Sequence, residues 1–425
     1  DRSNRSRKRK IKTKITVYRK IRRNLLIFLR KSGIILTLLT FNRIVAVPEK
    51  NMIEIVEAKT RSQMKKFATF PLKLYKGNPY YVPSFTHDER NVKNTKVNFA
   101  AVGCDVRCFL AYKDGKLAGR IAGIIVRASN EKFGEKRIRF SRFDFIEDKD
   151  VAAALLGAVA DFGRENGMTE MHGPWGFNDT DREGMLTIGF DMISTYATNY
   201  NYEYYPRIMD ELGYKKESEW VELKFDISEY DEKYGKVSEL VARRSGLKEL
   251  ADHLSVKQIV KLYGDKFFDC YNAAYKDLDC YIEIKGDAKK NVLQQFATVI
   301  NKDYLSVVVD EKTDKVVAFG VAIPSIGHVL NKHKGATLTS VPGLLKAIKH
   351  PVALELTLIG VTPSYRNSGV TAMIMDRMWK NVIKNGVKTV VGNPMLTTNV
   401  KILAQWKSIP HEIIKRRQTY ITEIK

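Results

Sequence analysis

Cysteine is scarce in this chain: four in 425 residues, at Cys104, Cys108, Cys270 and Cys280. So few do not make a disulfide framework, which points to a reducing cytosol and a cytoplasmic protein. Cys104 and Cys108 have no second Cys/His pair at zinc spacing, so no metal site is expected. No GxGxxG fingerprint and no nucleophilic triad is present. Neither Cys270 nor Cys280 is supported as a covalent nucleophile, because neither lies at the glycine loop described below. Acid is nearly missing from residues 1–51, which hold sixteen Lys/Arg against Asp1 and Glu49 and so carry +14 of the chain's +24. Long apolar runs are missing there too: the longest uncharged one, Ser32 to Asn42, is too short to span a bilayer.

That basic segment has competing readings. One is a membrane-associating helix or signal anchor lying against a lipid surface. The other is non-native or upstream sequence, with Met52 the true start. Ile53-Glu-Ile-Val-Glu57 alternates like a first strand, which favours the second. The rest of the positive charge is a mild excess that suits an anionic cofactor, and no nucleic-acid partner is expected.

The order of elements repeats without a repeat of sequence. In the first half, Ile53–Glu57 reads as a strand and Ser62–Tyr75 as a helix. Arg107–Tyr112 and Lys116–Arg127 form a hairpin around Lys113-Asp114-Gly115, followed by a strand at Arg137–Ile146. Then come a helix Asp150–Asn166, a strand Thr169–Phe177, a helix Tyr204–Leu212 and a strand Trp220–Phe225. In the second half, Gly246–Leu262, Phe267–Tyr275 and Lys289–Asn301 read as helices, and Leu305–Asp310 with Lys315–Pro324 as a hairpin. After an insertion at Ile326–Lys349 come a strand at Leu354, a helix from Gly369, a strand Thr389–Asn393, a helix from Asn399 and a strand Gln418–Ile424. The boundary falls near Asp226–Tyr234, giving a basic extension at 1–51 and domains at 52–227 and 228–425.

The stretch Leu354 to Met378 carries the most chemistry. Leu354, Leu356, Leu358 and Val361 make a buried strand, and Ile374, Met375, Met378 and Trp379 the inner face of a helix. Between them, Ser364 to Gly369 is free of bulky apolar side chains. A small-residue loop opening a helix offers unpaired N–H groups at the positive end of its dipole, which suits a pyrophosphate.

Arg366-x-x-Gly369-x-Thr371 after such a strand resembles the acyl-CoA loop of the GNAT superfamily of N-acyltransferases, with Thr371 where that loop has Gly or Ala. Other segments resemble a bacterial family of tandem GNAT proteins of poorly defined role. They include Phe70-Pro-x-x-Leu74-Tyr75, Pro79-x-x-Val82-Pro83, Gly115-x-x-x-Gly119-Arg120 and Gly173-Pro174. Tyr204-Tyr205-Pro206 and Asn393-Pro394-x-Leu396-x-Thr398-Asn399 belong to the same set. The resemblance implies an α/β fold of the α+β sandwich type: two GNAT-like domains, each a mixed, mostly antiparallel sheet flanked by helices. At the matching turn, the first half has Phe145-Ile-Glu147-Asp148-Lys149-Asp150, whose carboxylates repel anions. The first domain is therefore expected to be degenerate and the second to hold the acyl-CoA.

The resemblance further implies an N-acetyltransferase, or another acyl-CoA-dependent acyltransferase, acting by direct attack of an amine. The co-substrate is acetyl-CoA or another acyl-CoA, and the acceptor a small-molecule or peptide amine. Ile359, Gly360 and Val361 would pair with the pantetheine. Arg366, Asn367, Ser368, Gly369, Val370 and Thr371 would hold the pyrophosphate, and Asn399 would cap its helix or touch the ligand. Glu355 is the first candidate base, since apolar neighbours raise a carboxyl pKa; His411 is the second. The position of the usual thiolate-protonating tyrosine holds Trp406, so Tyr420 is the candidate acid. Two alternatives stay open: an aminoacyl-tRNA-dependent peptidyl transferase, and a non-catalytic CoA-binding or scaffold protein. Oligomeric state is not legible.

Overall fold

The computed structural model describes residues 52–424 apart from 228–230, 279–280, 287–288, 290–291, 294–299 and 408. The basic segment 1–51, Cys280 and most of the helix expected at Lys289–Asn301 lie outside the described residues.

The first half runs β1 (Ile53–Glu57), α1 (Arg61–Leu74), α2 (Thr86–Arg90), β2 (Cys104–Lys113), β3 (Lys116–Val126), α3 (Arg127–Phe133) and β4 (Arg137–Phe145). It continues through α4 (Lys149–Glu165), β5 (Glu170–Gly173), β6 (Met185–Ile188), α5 (Tyr204–Glu211) and β7 (Lys215–Phe225). The second half opens with α6 (Glu232–Ser245), β8 (Leu247–Glu249), α7 (Leu250–His253), α8 (Val256–Tyr275), β9 (Leu305–Asp310) and β10 (Lys315–Pro324). Then come α9 (Gly327–His333), α10 (Thr337–Lys349), β11 (Ala353–Val361), α11 (Val370–Lys384) and β12 (Thr389–Gly392). The chain closes with β13 (Met395–Leu396), α12 (Val400–Trp406) and β14 (His411–Glu423).

All these strands belong to one sheet, ordered β1-β2-β3-β4-β5-β14-β7-β12-β11-β10-β9-β8, with β6 on β14 and β13 on β7. The two flanks have the same plan: antiparallel neighbours up to β4 and β11, then parallel pairs β4–β5 and β11–β12. The closing strands are exchanged. β14, the last strand of the second half, pairs with β5 of the first. β7, the last of the first half, pairs with β12 of the second. Each flank's sheet is completed by the other half.

Cores form on both flanks. α4 lays Leu155, Leu156, Val159 and Phe162 on the first, and α11 lays Val370, Ile374, Met375, Met378 and Trp379 on the second. Three expectations from sequence change. Gly246 ends a helix instead of starting one: it caps α6 with φ +67°, a conformation that favours glycine, and Ser255 starts α8 through a capping box with Gln258. β14 begins at His411, seven residues before the expected Gln418, so Lys415, Arg416 and Arg417 lie inside the sheet. Leu358 does not share a face with Leu354 and Leu356. The register slips at Thr357, whose hydroxyl donates to Val321 O at 2.8 Å, and the bulge turns Leu358 toward α8 and Ile359 back toward α11.

Candidate functional site

A cavity of about 1700 Å³ runs between the halves, lined by side chains of both. Its floor is the gap between β11 and β12. These strands pair from Ala353–Thr389 to Leu356–Gly392, and Asn393 N donates to Leu356 O at 3.0 Å. The chain then turns at Pro394, and β13 joins β7 instead. From Thr357 onward β11 therefore has an open edge, and Leu358, Ile359, Gly360 and Val361 line the cavity there. The Tyr275 hydroxyl donates to Ile359 O at 3.0 Å.

The glycine loop lies at the end of this edge. A 3₁₀ turn at Pro363–Tyr365 is anchored by the Tyr365 hydroxyl donating to Asp310 Oδ2 at 2.7 Å. Asn367 (φ +66°) and Gly369 (φ +84°) are both left-handed. Gly369 is the N-cap of α11 with no side-chain cap, and a Cβ there would meet Val241 Cγ2 at 2.8 Å. The amides of Asn367, Gly369 and Thr371 have no hydrogen-bond partner among the described residues, while Val370 N makes only a 3.4 Å contact to Ser368 Oγ. Donors left free at a helix N-terminus suit a phosphate. The exposed Arg366 is tied by Nη2 to Ala274 O at 3.2 Å, and its other guanidinium nitrogens have no partner among the described residues. Asn399 accepts from Ile402 N at 3.3 Å as the N-cap of α12, and it also lines the cavity. Polar atoms buried without a hydrogen-bond partner belong to four further lining residues: Asn393 Oδ1, Trp406 Nε1, Trp175 Nε1 and Arg142 Nε, the last 3.3 Å from Glu89. A polar, hydrogen-bonding ligand in the cavity would satisfy such groups.

The first half fills the equivalent places with its own side chains. Asp148 caps α4, accepting from Asp150 N at 3.0 Å and Val151 N at 3.1 Å, so a carboxylate occupies the position that an anion would take. At the end of β4, Tyr205 accepts from Phe145 N at 3.1 Å and Tyr204 donates to Phe145 O. Tyr75 donates to Asp144 Oδ1 at 3.0 Å. Asp144 and Glu89 both pair with Arg120 at 2.7 Å. Burial works against the Glu89 charge, but Arg120 and Arg142 hold its pKa down to about 2.

The candidate catalytic residues do not converge. Glu355 is 1% exposed, accepts from Tyr196 N at 3.1 Å and leaves Oε1 without a partner. Burial pushes its pKa up to about 7, yet it is not among the cavity-lining residues. Its neighbours are a buried ionic cluster: Glu222 pairs with Arg417 and lies 3.5 Å from Lys415, whose Nζ donates to Ile193 O at 2.7 Å. Lys415 and Arg417 therefore do not reach a cofactor phosphate. Tyr420 is fully buried in the first-half core opposite Gly173, three strands from β11, and burial raises its pKa. His411 is exposed, with Nδ1 2.7 Å from Ile409 O, and does not line the cavity.

Another carboxylate does. The loop between β5 and β6 brings Asp179, Asp181 and Glu183 to the cavity wall. Glu183 has no partner among the described residues, and burial, then Asp179 and Asp181, raise its pKa well above the carboxylate range against the pull of Arg139 and Arg417. Asp179 accepts from the Tyr271 hydroxyl at 2.7 Å, Tyr271 stacks on Tyr275 at 4.5 Å, and Tyr275 reaches Ile359. This chain of contacts ties the acidic loop of the first half to the open edge of the second. The sequence signal for it was the alternating Asp179-x-Asp181-x-Glu183 just before Gly184. Among the described residues there is no cluster of three or more His, Cys, Asp or Glu arranged to hold a metal ion. No described helix is long and apolar enough to cross a membrane.

The fold is the tandem GNAT fold. A tandem GNAT protein from the clavulanic acid biosynthesis pathway superposes with a TM-score of 0.53 at 10% identity, covering 88% of this chain and 99% of that one. A glucosamine N-acetyltransferase region of a fungal multi-domain β-N-acetylglucosaminidase gives 0.51 at 11% identity, over 88% of this chain and 38% of that one. In sequence, the chain is 29% identical over 156 residues to Protein YghO of Escherichia coli (strain K12), which is 37% of this chain and 40% of that protein. It is 24% identical over 193 residues to the bacterial ceramide synthase of Caulobacter vibrioides (strain NA1000 / CB15N), 45% of this chain and 49% of that protein. The chain thus spans less than half the length of the curated relatives it matches. No protein-family model matches it.

Proposed function

We propose that this protein transfers an acyl group from an acyl-CoA to an amine, in the cavity between its halves, with the acyl-CoA held by the second half. The observation that carries this reading is the uncapped N-terminus of α11, whose free amides follow Gly369 at the end of an open strand edge. The pyrophosphate meets those amides and the Arg366 charge, and the pantetheine lies along Leu358–Val361. The first half supplies no second acyl-CoA site, because Asp148 and Tyr205 already occupy its donors.

Glu183 is the base. An acceptor amine enters as an ammonium, drawn by Asp179, Asp181 and Glu183. Burial and the neighbouring Asp179 and Asp181 raise the proton affinity of Glu183, which suits a carboxylate that takes a proton from the ammonium. The amine attacks the thioester carbonyl, the C–N bond forms and the C–S bond breaks. The first ammonium proton leaves through Glu183 to solvent, and the second goes to the departing thiolate. With a thiol pKa of roughly 8.5, that thiolate needs no strong acid, so Trp406 is compatible with turnover.

The acceptor is a lipid amine and the acyl group a long one. Support comes from the relative named a ceramide synthase, ceramides being N-acylated long-chain amino alcohols. The cavity volume of about 1700 Å³ adds to it, exceeding the roughly 300–1,000 Å³ of ordinary ligand pockets. The test is amide formation, followed by mass spectrometry, with acetyl-, octanoyl- and palmitoyl-CoA against a long-chain amino alcohol. Product that grows with chain length and is lost in Glu183→Gln is expected. Folded protein that forms no amide with any donor would overturn the reading.

A further inference from the structure

The insertion between β10 and β11 is not explained by acyl transfer. It forms a pair of packed helices, α9 and α10. α10 has two apolar faces. The inner one carries Ser340, Gly343 and Leu344 against Val329 and Leu330. The outer one carries Leu338, Val341 and Leu345 at i, i+3 and i+7, and these are 88%, 42% and 63% exposed. A surface helix with an apolar stripe on its solvent side lacks the partner that such a stripe needs.

The charge around the stripe says what the partner is. From Ser325 to Ala353 there is no Asp or Glu, while Lys332, Lys334, Lys346 and Lys349 are present. None of the four makes an ion pair among the described residues and all four are exposed, Lys334 in the turn between α9 and α10 and Lys349 at the end of α10. At 100° per residue, Lys349 and Lys346 both border the stripe along its Leu338 edge on α10 itself. An apolar strip with free lysines along one edge matches an anionic bilayer, where the leucines enter the acyl boundary and the lysines meet the headgroups. We propose that α10 is a membrane-docking helix that lies on anionic lipid by its Leu338–Leu345 face. The binding stands apart from the acyltransfer reading. Its consequence rests on that reading: Ile326 and Ile348 of this insertion line the cavity beside Pro324 at the end of β10, so a lipid acceptor passes from the bilayer into the cavity beside docked α10.

All four tryptophans of the chain are buried, so an indole placed on α10 reports on its own surroundings. The full chain carrying Leu338→Trp is mixed with vesicles of phosphatidylglycerol and phosphatidylcholine containing dibrominated lipid. The added fluorescence should be quenched, and adding Lys346→Gln and Lys349→Gln should weaken the vesicle titration roughly 30-fold, about fivefold per lysine. Sedimentation with the vesicles while the introduced indole stays unquenched would place the contact elsewhere, including residues 1–51, and overturn the proposal. So would an introduced indole already shielded without lipid by a second copy of the chain. Neither result depends on amide formation, so it leaves the acyltransferase reading untouched.

Discussion

Replacing Glu355 by Gln should stabilise the protein, and by an amount that grows with pH. The carboxyl is 1% exposed on β11, and its pKa is pushed from the ordinary 4.5 to about 7 by burial, with Glu222 adding to the rise. The nearby Ser325 hydroxyl, the hydrogen bond from Tyr196 N and the charge of Lys415 work against the rise without cancelling it. Between pH 4.5 and 7 the folded protein holds a proton there that the unfolded chain has lost. Stability from this group is therefore fully present below 4.5 and falls as pH rises through 7. At 1.36 kcal/mol per pKa unit the loss approaches about 3 kcal/mol. Glutamine keeps the shape and has no charge to strip of water, so the fall disappears. The assay is urea denaturation of both proteins at pH 5, 6, 7 and 8. Near-equal stability at pH 5 and a variant more stable by a few kcal/mol at pH 8 are expected. A variant equally destabilised at every pH, or worse at pH 8, would mean that Glu355 is ionised and paired with Lys415, and would refute the reasoning.

Glu183→Gln should lower turnover by about 10²- to 10⁴-fold with acyl-CoA affinity unchanged; single-turnover kinetics beside a binding titration separate the two. Arg417→Met strands Glu222, 0% exposed, beside Lys415 alone and should cost roughly 3–5 kcal/mol. Denaturant melts of the variant beside the parent measure that loss. Residues 53–213 produced alone, without β7 and β14, leave the β5 edge unpaired, and circular dichroism should show no cooperative unfolding.

The legible parts of the sequence were those set by local rules. β11, the glycine loop and α11 follow from strand alternation, a left-handed glycine and helical spacing, and all three form. The hairpins turn where Asp114-Gly115 and Asp314 sit, both aspartates being at positive φ. Misreadings came where distant residues decide. Lys415 and Arg417, which precede the strand expected from Gln418, lie inside the sheet because Glu222, on a strand nearly two hundred positions earlier, pairs with them there. The Thr357 bulge depends on the register with β10, and nothing in the Leu354–Val361 pattern signals it. Glu355 was a sound choice by burial and pKa, but the cavity lies on other groups. Glu183 went unnoticed because the first half, degenerate at its own loop, lends a wall to the second. The exchange of β7 and β14 has no sequence signature, since both strands alternate as they would at home.

The most direct test of the central claim is calorimetry with palmitoyl-CoA and acetyl-CoA on the full chain and on Ser368→Glu. Ser368 is exposed beside the free amides, and a carboxylate near a helix N-terminus leaves the fold intact while repelling a pyrophosphate. Binding in the parent that is lost in Ser368→Glu is the predicted result. Equal binding in both, or none in the folded parent, would contradict an acyl-CoA site at the head of α11.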